Sequence, residues 1–164
     1  MPLERIHHEV VRVGPESIDI QEHVNNREYL RWMELAAINH AEKLGWGVSS
    51  LVEQGRAWVA REHWIEYLKP CFAGDQLDVY TWIQSIYGPT SLRRYAVVRG
   101  GLPVAVGATE WVYLDRATGR PTLIHPSEEV LAVLVAPADP ELKRLGAGRP
   151  VRFSPGAALL KREE

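Results

Sequence analysis

The residues with the clearest capacity for chemistry lie together in one segment, Asp19-Ile-Gln-Glu-His23-Val-Asn25-Asn26-Arg-Glu-Tyr29. The first eight of these residues include two acids, one imidazole and three amides. A carboxylate near an imidazole can act as a general base in attack on a carbonyl group. With a hydrogen-bond donor for the developing oxyanion beside them, Asp19 and His23 would form a hydrolytic site.

The segment leads into a long predicted helix, whose start would supply such a donor. Residues 27–44 contain no Gly or Pro, and their apolar residues recur at helical spacing: Tyr29, Leu30, Met33, Ala37, Ala41 and Leu44. Asn25 followed by Glu28 predicts a capping box, and Lys43 followed by Gly45 predicts the helix end. The free N–H groups and the positive dipole end at a helix start stabilise negative charge.

The same segment also has a purely structural interpretation. Asp19 would hydrogen-bond local amides, Asn25 would cap the helix, and His23 would be exposed. The residue types alone leave the hydrolytic and the structural interpretations open.

The rest of the chain predicts a sheet that covers this helix. Strand-like runs separated by Gly- and Pro-containing turns cover residues 5–13, 57–68, 75–86, 91–99 and 104–114. The last four are joined by connections too short for parallel pairing, so they are predicted to be antiparallel. Apolar residues occupy most of the circumference of the helix, so we expect the sheet to enclose it largely. The fold class is therefore α+β, and an open sheet edge favours dimerisation.

Composition and length narrow the class of protein. The chain has 164 residues, a net charge of −2 and one cysteine, Cys71, which argues against a general nucleic-acid binder, a disulfide and a cysteine zinc cluster. We find no secretory signal, membrane-length apolar run, metal-ligand spacing or Gly-rich cofactor loop. We expect a cytoplasmic protein without metal or cofactor. We place its domain at residues 1–135, which end with a brief helix that Ser127 caps, and we expect a loosely packed tail over residues 136–164.

Several motifs together resemble those of hotdog-fold thioesterases. The string Asp-x-x-x-His-Val-Asn-Asn-x-x-Tyr at residues 19–29 is similar to the signature of the 4-hydroxybenzoyl-CoA thioesterase-like group and of acyl-ACP thioesterases. Residues 66–79 resemble the segment of that family with a Tyr, a Pro and then Gly-Asp-x-Leu, and residues 111–121 resemble its last core strand and turn. The resemblance extends over about residues 5–134.

The resemblance implies a fold, an assembly and a reaction. It implies a long helix wrapped by an antiparallel sheet of about five strands, in a homodimer or a tetramer of two dimers with active sites between subunits. The reaction would be hydrolysis of an acyl-CoA or acyl-ACP thioester, in fatty acid metabolism. Asp19 would act as general base or nucleophile, and a backbone N–H at or next to Asn26 would polarise the carbonyl.

The remaining site residues follow from the same resemblance. His23 matches the functional His, and Gln21 occupies the position of the functional amide. We expect Asn25 and Tyr29 to contribute to substrate binding. Arg93 and Arg94 would meet the phosphates of coenzyme A or an acidic carrier protein, although a solvated strand face is an alternative explanation of this pair. Cys71 falls at the Cys of a family Glu-Cys pair, but Pro70 replaces the Glu, so we do not expect a catalytic thiol.

Two other functions are compatible with the same fold, because a fold alone does not define an activity. One is a hydratase or dehydratase acting on 3-hydroxyacyl thioesters, which also pairs an acid with a His. The other is a non-catalytic module that binds acyl thioesters. Thiol release from acyl-CoA distinguishes hydrolysis from both, and loss of enoyl-thioester absorbance identifies the hydratase.

Overall fold

One antiparallel sheet of five strands forms the body of the protein, with the strand order β1-β3-β4-β5-β2. The computed structural model describes residues 3–146, 149 and 151. The strands are β1 His7–Arg12, β2 Arg56–Tyr67, β3 Gln76–Tyr87, β4 Thr90–Arg99 and β5 Leu102–Asp115. The helices are α1 Asn26–Lys43, α2 Val48–Glu53, α3 Glu128–Ala132 and α4 Pro140–Lys143. The predicted α+β class, the long helix and the five strands are confirmed, with ends within about two residues of the predicted ones.

The main core lies between α1 and the inner face of the sheet. Met33 and Ala36 of α1 have no exposed surface, and they pack with Leu77 and Val79 of β3 and Val97 of β4. These side chains share one face because residues two apart on a strand point the same way, whereas residues three or four apart align on a helix.

The Met33 side chain of α1 packs directly against the sheet backbone at Gly107 of β5. A β-carbon built on Gly107 would lie 3.0 Å from Met33 Sδ and 2.9 Å from the Trp64 carbonyl oxygen on the neighbouring strand. The absence of a side chain at this position therefore allows α1 to lie directly on the sheet.

One side of α1 is open, which differs from the predicted enclosure. Leu35 and Ile38 are 43% and 46% exposed, although both belong to the apolar arc read from the sequence. The sheet covers only the arc that contains Met33 and Ala37. The near-complete apolar circumference therefore does not mean that the helix is covered on all sides within this chain.

The outer face of the sheet is partly covered by the chain itself. Trp82, Ala96 and Val98 pack there against Val135, Leu142 and Leu145. Leu142 and Leu145 are fully buried, and Asp139 forms an ion pair with Arg5. Two buried leucines, Leu142 and Leu145, therefore attach the start of the predicted tail to the outer face of the sheet, whereas loose packing of residues 136–164 as a whole stays a prediction. Residues 147, 148, 150 and 152–164 lie outside the described residues, and the boundary at residue 135 stays a prediction.

One short helix lies where the sequence pattern predicts neither a helix nor a strand. Residues 45–55 fall between the predicted helix and the next predicted strand, and α2 forms there and buries Leu51 against Tyr113 and Ile124. In the described part of the chain, none of the helices is long and apolar enough to cross a membrane.

The close approach at Gly107 gives a stability prediction. Gly107→Ala should lower the free energy of unfolding by about 1–3 kcal/mol, because the added methyl group overpacks against a backbone carbonyl that cannot move freely. Urea unfolding followed by circular dichroism measures this change. Gly14→Ala is the matched control, since a β-carbon there would meet only the flexible Glu16 side chain. Equal stability of the two variants would contradict the packing described here.

Candidate active site

A tight loop at residues 19–23 presents the predicted catalytic acid. The Asp19 N–H donates to the His23 carbonyl at 2.9 Å, and the Glu22 N–H donates to the Asp19 carbonyl at 3.0 Å. Ile18 and Val24 form an antiparallel bridge that closes the loop. Glu22 adopts a positive φ of 64°, which the tight turn requires. Asp19 and His23 are therefore held on the two arms of one small hairpin.

The Asp19 carboxylate is partly satisfied by its own loop. Its Oδ1 accepts a hydrogen bond from the Gln21 N–H at 2.8 Å, an arrangement typical of Asx turns. Asp19 is half-buried. One carboxylate oxygen is thus oriented by the backbone, and the described contacts assign no donor to the other, Oδ2.

The start of α1 lies immediately after this loop and is anchored on several sides. The Asn25 N–H donates to the Ser17 carbonyl at 2.8 Å, and the Val24 N–H donates to the Cys71 carbonyl at 2.9 Å. Asn25 caps the helix, because its side chain accepts from the Arg27 N–H at 3.1 Å and its carbonyl accepts from the Glu28 N–H at 2.9 Å. Neither acceptor of Asn25 takes the Asn26 N–H, which is left at the positive end of the helix dipole.

The predicted capping box does not form, although the predicted cap does. The Glu28 carboxylate accepts from the buried Ser17 hydroxyl at 2.7 Å and from Arg31 at 2.7 Å, instead of from the Asn25 N–H. The hydrogen bond with Arg31 keeps the pKa of Glu28 below its usual value. Glu28 therefore ties the helix start to the turn before the Asp19 loop, which a local sequence pattern cannot predict.

The structure places His23 and Gln21 at the exposed side of the loop. The half-buried His23 ring contacts the edge of Phe72 at a centroid distance of 5.4 Å. Gln21 is exposed, and its contact with Asp19 is made by its backbone N–H. The loop thus brings Asp19, Gln21, His23, Asn25 and Asn26 together at one end of α1.

Tyr29 lies one turn further along and belongs to the core. Its side chain is buried between the rings of Trp32 and Tyr67. Burial, together with a hydrogen bond to Cys71, raises the pKa of Tyr29. Burial also raises the pKa of the Cys71 thiol, so this cysteine is poor in reactive thiolate. The Tyr67 hydroxyl donates to the Asn26 carbonyl at 3.1 Å, which joins the end of β2 to the start of α1.

The two arginines predicted to form one phosphate-binding pair lie on opposite faces of β4. Arg93 points to the inner face, where it contacts His40 of α1. Arg94 points to the outer face, where it donates to the Arg149 carbonyl at 3.0 Å and lies over the Trp64 ring. Both side chains are buried. Adjacent strand residues alternate between faces, so Arg93 and Arg94 do not form one cationic patch.

A cavity of about 290 Å³ opens beside the second half of α1. Its walls come from α1, α2, the start of β2, β3, β4 and β5, and they include Ala37, Ala41, Val48, Ala57 and Arg93. Three tryptophans also line it: Trp46, Trp58 and Trp111. Size and apolar walls suit a small acyl or aromatic group. Asp19 and Tyr29 are not among its lining residues, so the cavity and the catalytic loop lie toward opposite ends of α1.

A row of four polar side chains in contact with one another lies between these two regions, and the sequence did not predict it. Glu34 Oε1 of α1 lies 3.3 Å from His63 Nε2 of β2. The Thr109 hydroxyl lies 2.8 Å from His63 Nδ1 and accepts from the Tyr95 hydroxyl at 2.9 Å. This arrangement assigns the imidazole proton to Nε2, directed at Glu34. Glu34 and His63 are far apart in the sequence, and only the packing of α1 on β2 pairs them.

The described residues contain no group of three or more His, Cys, Asp or Glu side chains placed to hold a metal ion. Residues 19–26 bring together a carboxylate, an imidazole and a helix-start N–H. Such a set activates a water molecule or attacks a carbonyl directly, and it stabilises the oxyanion that results.

Comparison with known proteins identifies the class. Residues 13–144 match the family model of the thioesterase-like superfamily, and the chain belongs to this family. The long helix of this chain packs against a five-stranded antiparallel sheet. This arrangement is the hotdog fold, which its structural neighbours share. Membership of this family supports thioester hydrolysis as the general activity. No curated protein matches the chain in sequence.

Solved structures with similar folds include several thioesterases. An acyl-ACP thioesterase from Bacteroides thetaiotaomicron has a TM-score of 0.75 and 19% identity, over 92% of this chain and 59% of that enzyme. The DHNA-CoA thioesterase from Staphylococcus aureus has a TM-score of 0.66 and 20% identity, over 72% and 80% of the two chains. A probable thioesterase from Bartonella henselae has a TM-score of 0.67 and 19% identity, over 73% and 99%. At these identities the likeness shows the fold.

The anchoring of the helix start leads to a prediction about Asn25. Asn25→Ala should lower the free energy of unfolding by about 1 kcal/mol, because the Arg27 N–H loses its side-chain acceptor. Asn25→Asp is the matched control, since its carboxylate keeps the acceptor and favours the helix dipole. Chemical unfolding of the three proteins measures the difference. An alanine variant as stable as the wild type would show that the cap contributes nothing.

Proposed function

We propose that this protein hydrolyses the thioester bond of an acyl-CoA or an acyl carrier protein substrate. The observation that carries the proposal is the joint placement of the Asp19 carboxylate and the Asn26 N–H on one anchored loop and helix start. The two groups are an activating acid residue and an oxyanion donor, which are what thioester cleavage requires. The protein's membership of the thioesterase-like family supports the same reaction.

In the proposed mechanism Asp19 takes a proton from water as the water oxygen bonds to the thioester carbon. The carbonyl oxygen becomes an oxyanion, which the Asn26 N–H and the helix dipole stabilise. When the intermediate collapses, the carbon–sulfur bond breaks and the thiolate takes up the proton. If Asp19 instead attacks the carbonyl carbon directly, the carbon–sulfur bond breaks, the thiolate leaves and takes up a proton, and the mixed anhydride with Asp19 is then hydrolysed by water. The reaction has the same products in either case, a free acid and a thiol.

The neighbouring groups are assigned supporting roles. The Gln21 N–H orients one oxygen of Asp19, which leaves Oδ2 for water. The His23 carbonyl holds the Asp19 N–H across the hairpin, and we assign the half-buried His23 imidazole to proton transfer at the thiol. Asn25 positions the oxyanion donor through the cap.

We further propose that two copies pair through β2, a twelve-residue strand at one edge of the sheet. Exposed apolar side chains surround this edge: Leu35, Ile38, Val48, Val52 and Val59. An unpaired edge next to an exposed apolar surface is a typical site of self-association. Cytoplasmic location and any further pairing into a tetramer remain predictions.

Antiparallel pairing of two β2 strands would complete the site. Within one subunit the start of β2 lines the cavity, and the end of β2 reaches Asn26 through Tyr67. A twofold axis through the middle of β2 would set the start of one strand beside the end of the other, with both α1 helices on the same face. The cavity of one subunit would then adjoin the partner's Asp19 loop, and an acyl group held in the cavity would reach the thioester chemistry.

The role of Asp19 is tested by Asp19→Asn. The asparagine keeps an oxygen that accepts from the Gln21 N–H, so the loop should remain folded while the base is lost. We expect kcat for thiol release from acyl-CoA to fall by roughly 10²–10⁴-fold. Glu22→Gln is the matched control in the same loop, because Glu22 is exposed and should be dispensable.

Each other outcome of this experiment has a definite meaning. Undiminished turnover by a folded Asp19→Asn protein would overturn the assignment of Asp19. If neither an acyl-CoA panel nor acyl carrier protein substrates release thiol, thioester hydrolysis itself is wrong. Loss of enoyl-CoA absorbance would then identify a hydratase, and binding without either reaction would identify a non-catalytic module.

The assembly is tested at Val59, which is 45% exposed on β2. Val59→Lys should raise the dimer dissociation constant by about tenfold or more, because a charge replaces an apolar side chain at the interface. Sedimentation velocity over a concentration series measures it. The control is Val10→Lys, which places the same change on β1 at the opposite edge. Equal effects of both changes, or a monomeric wild type, would contradict pairing through β2.

A further inference from the structure

The cavity beside α1 has an unusual combination of walls and charge. Its surface is mostly apolar and aromatic, with the side chains of Trp46, Trp58 and Trp111. Its charged lining residues are all arginines, namely Arg56, Arg93 and Arg116, and no acidic residue lines it. The cavity is thus mainly apolar, and all of its charged lining residues are cations.

Arg93 differs from the other two arginines because it is buried. Its side chain is 4% exposed, whereas Arg116 is exposed and Arg56 lies 3.6 Å from Asp115. In the described part of the chain, no carboxylate lies within ion-pairing distance of Arg93, although Arg31, Arg61 and Arg99 each have one. Arg93 is therefore a buried cation without a counter-ion.

The two described partners of Arg93 are both neutral. Its Nη1 donates to His40 Nδ1 at 2.9 Å and to the Thr81 hydroxyl at 3.1 Å. His40 must be the Nε2–H tautomer, because Nε2 lies 2.9 Å from the Glu4 carbonyl and needs a proton to donate. Burial, together with the charge of Arg93, lowers the pKa of His40 to about 3. His40 therefore stays uncharged at neutral pH and orients Arg93 without neutralising it.

An unneutralised cation in a buried site carries a large desolvation cost. Burial lowers the pKa of Arg93 to about 10, which still leaves the guanidinium protonated at neutral pH. An anion entering the cavity would meet a charge that is already desolvated and already held in place by His40 and Thr81. Preorganisation of this kind strengthens binding, since little ordering remains to be done.

We propose that this cavity binds an acyl group that carries a carboxylate at its far end, and that Arg93 pairs with that carboxylate. The tryptophans contact the hydrocarbon between the carboxylate and the thioester. A volume of about 290 Å³ lies near the lower limit of about 300 Å³ for ligand pockets, so short dicarboxylic acyl groups fit. This inference rests on the proposed thioester hydrolysis and names its substrate class.

The test compares two substrates that differ only at the far end, adipyl-CoA and hexanoyl-CoA. For wild type we expect kcat/KM to favour adipyl-CoA by about 10–100-fold, the range of a hydrogen bond to a charged group. Arg93→Gln should abolish this preference, and Arg93→Lys should restore part of it by returning the charge. Arg12→Gln, on the exposed side of β1, is the control and should leave the preference unchanged.

The ratio of the two substrates protects the test against partial unfolding of the variants, because both are measured with the same enzyme sample. A wild-type enzyme that hydrolyses hexanoyl-CoA as well as adipyl-CoA would overturn this inference. Equal hydrolysis of the two substrates would still support the proposed thioester hydrolysis, provided that the turnover is lost in Asp19→Asn. An Arg93→Gln protein that keeps the preference would overturn this inference as well.

If neither substrate is hydrolysed, the proposed function is wrong. Whether the cavity binds a carboxylate is then tested by measuring ligand binding without turnover. Hexanoate and hexanamide have the same size and differ in charge, and tryptophan fluorescence reports on the cavity walls. Tighter binding of hexanoate to wild type, lost in Arg93→Gln, would support the site. Equal binding of the two probes, or no binding of either, would overturn it.

Discussion

The close packing of α1 on the inner face of the sheet is the constraint on which the rest of the structure depends. At Gly107 of β5 the glycine leaves room for the Met33 side chain of α1 against the strand backbone. Because the buried face of α1 is held against the sheet, the groups at its two ends are positioned as well. The Asp19 loop and the Asn26 N–H lie at one end, and the cavity, which Arg93 of β4 also lines, lies beside the other.

The strand β2 extends this constraint along the whole helix. It runs opposite to α1, so its start reaches the cavity, its middle meets Glu34 through His63, and its end reaches Asn26 through Tyr67. Each contact is made by a different part of one twelve-residue strand. An edge strand that touches every functional region of the helix is well placed to relate those regions to a second copy, which is why the proposed assembly and the proposed chemistry depend on the same element.

The sequence was informative where a single local rule decides the structure. The spacing of Tyr29, Met33 and Ala37 predicted α1, and Asn25 predicted its cap, because helical periodicity and capping act within a few residues. Local rules failed where a distant residue competed. Glu28 bonds the buried Ser17 hydroxyl instead of the Asn25 N–H, and α2 forms because Leu51 finds Tyr113 and Ile124. Arg93 and Arg94 were predicted to form one phosphate-binding pair because they are neighbours in the sequence. Their side chains lie on opposite faces of β4, because adjacent strand residues alternate between faces. The cavity is lined by residues of two helices and four strands, so no single segment of the sequence predicts it.

The two-sided burial of β4 has a consequence for how this chain tolerates change in length. Arg93 serves the cavity, whereas the next residue serves the outer face under the C-terminal segment. Inserting or deleting one residue of β4 before Arg93 would move every residue beyond that point to the opposite face of the sheet. Arg93 would then lie on the outer face, and its contacts with His40 and Thr81 beside the cavity would be lost. The turns on either side of β4 do not supply alternate residues to the two faces of the sheet. Variation in chain length among proteins built on this plan should therefore accumulate in those turns and be excluded from the strand.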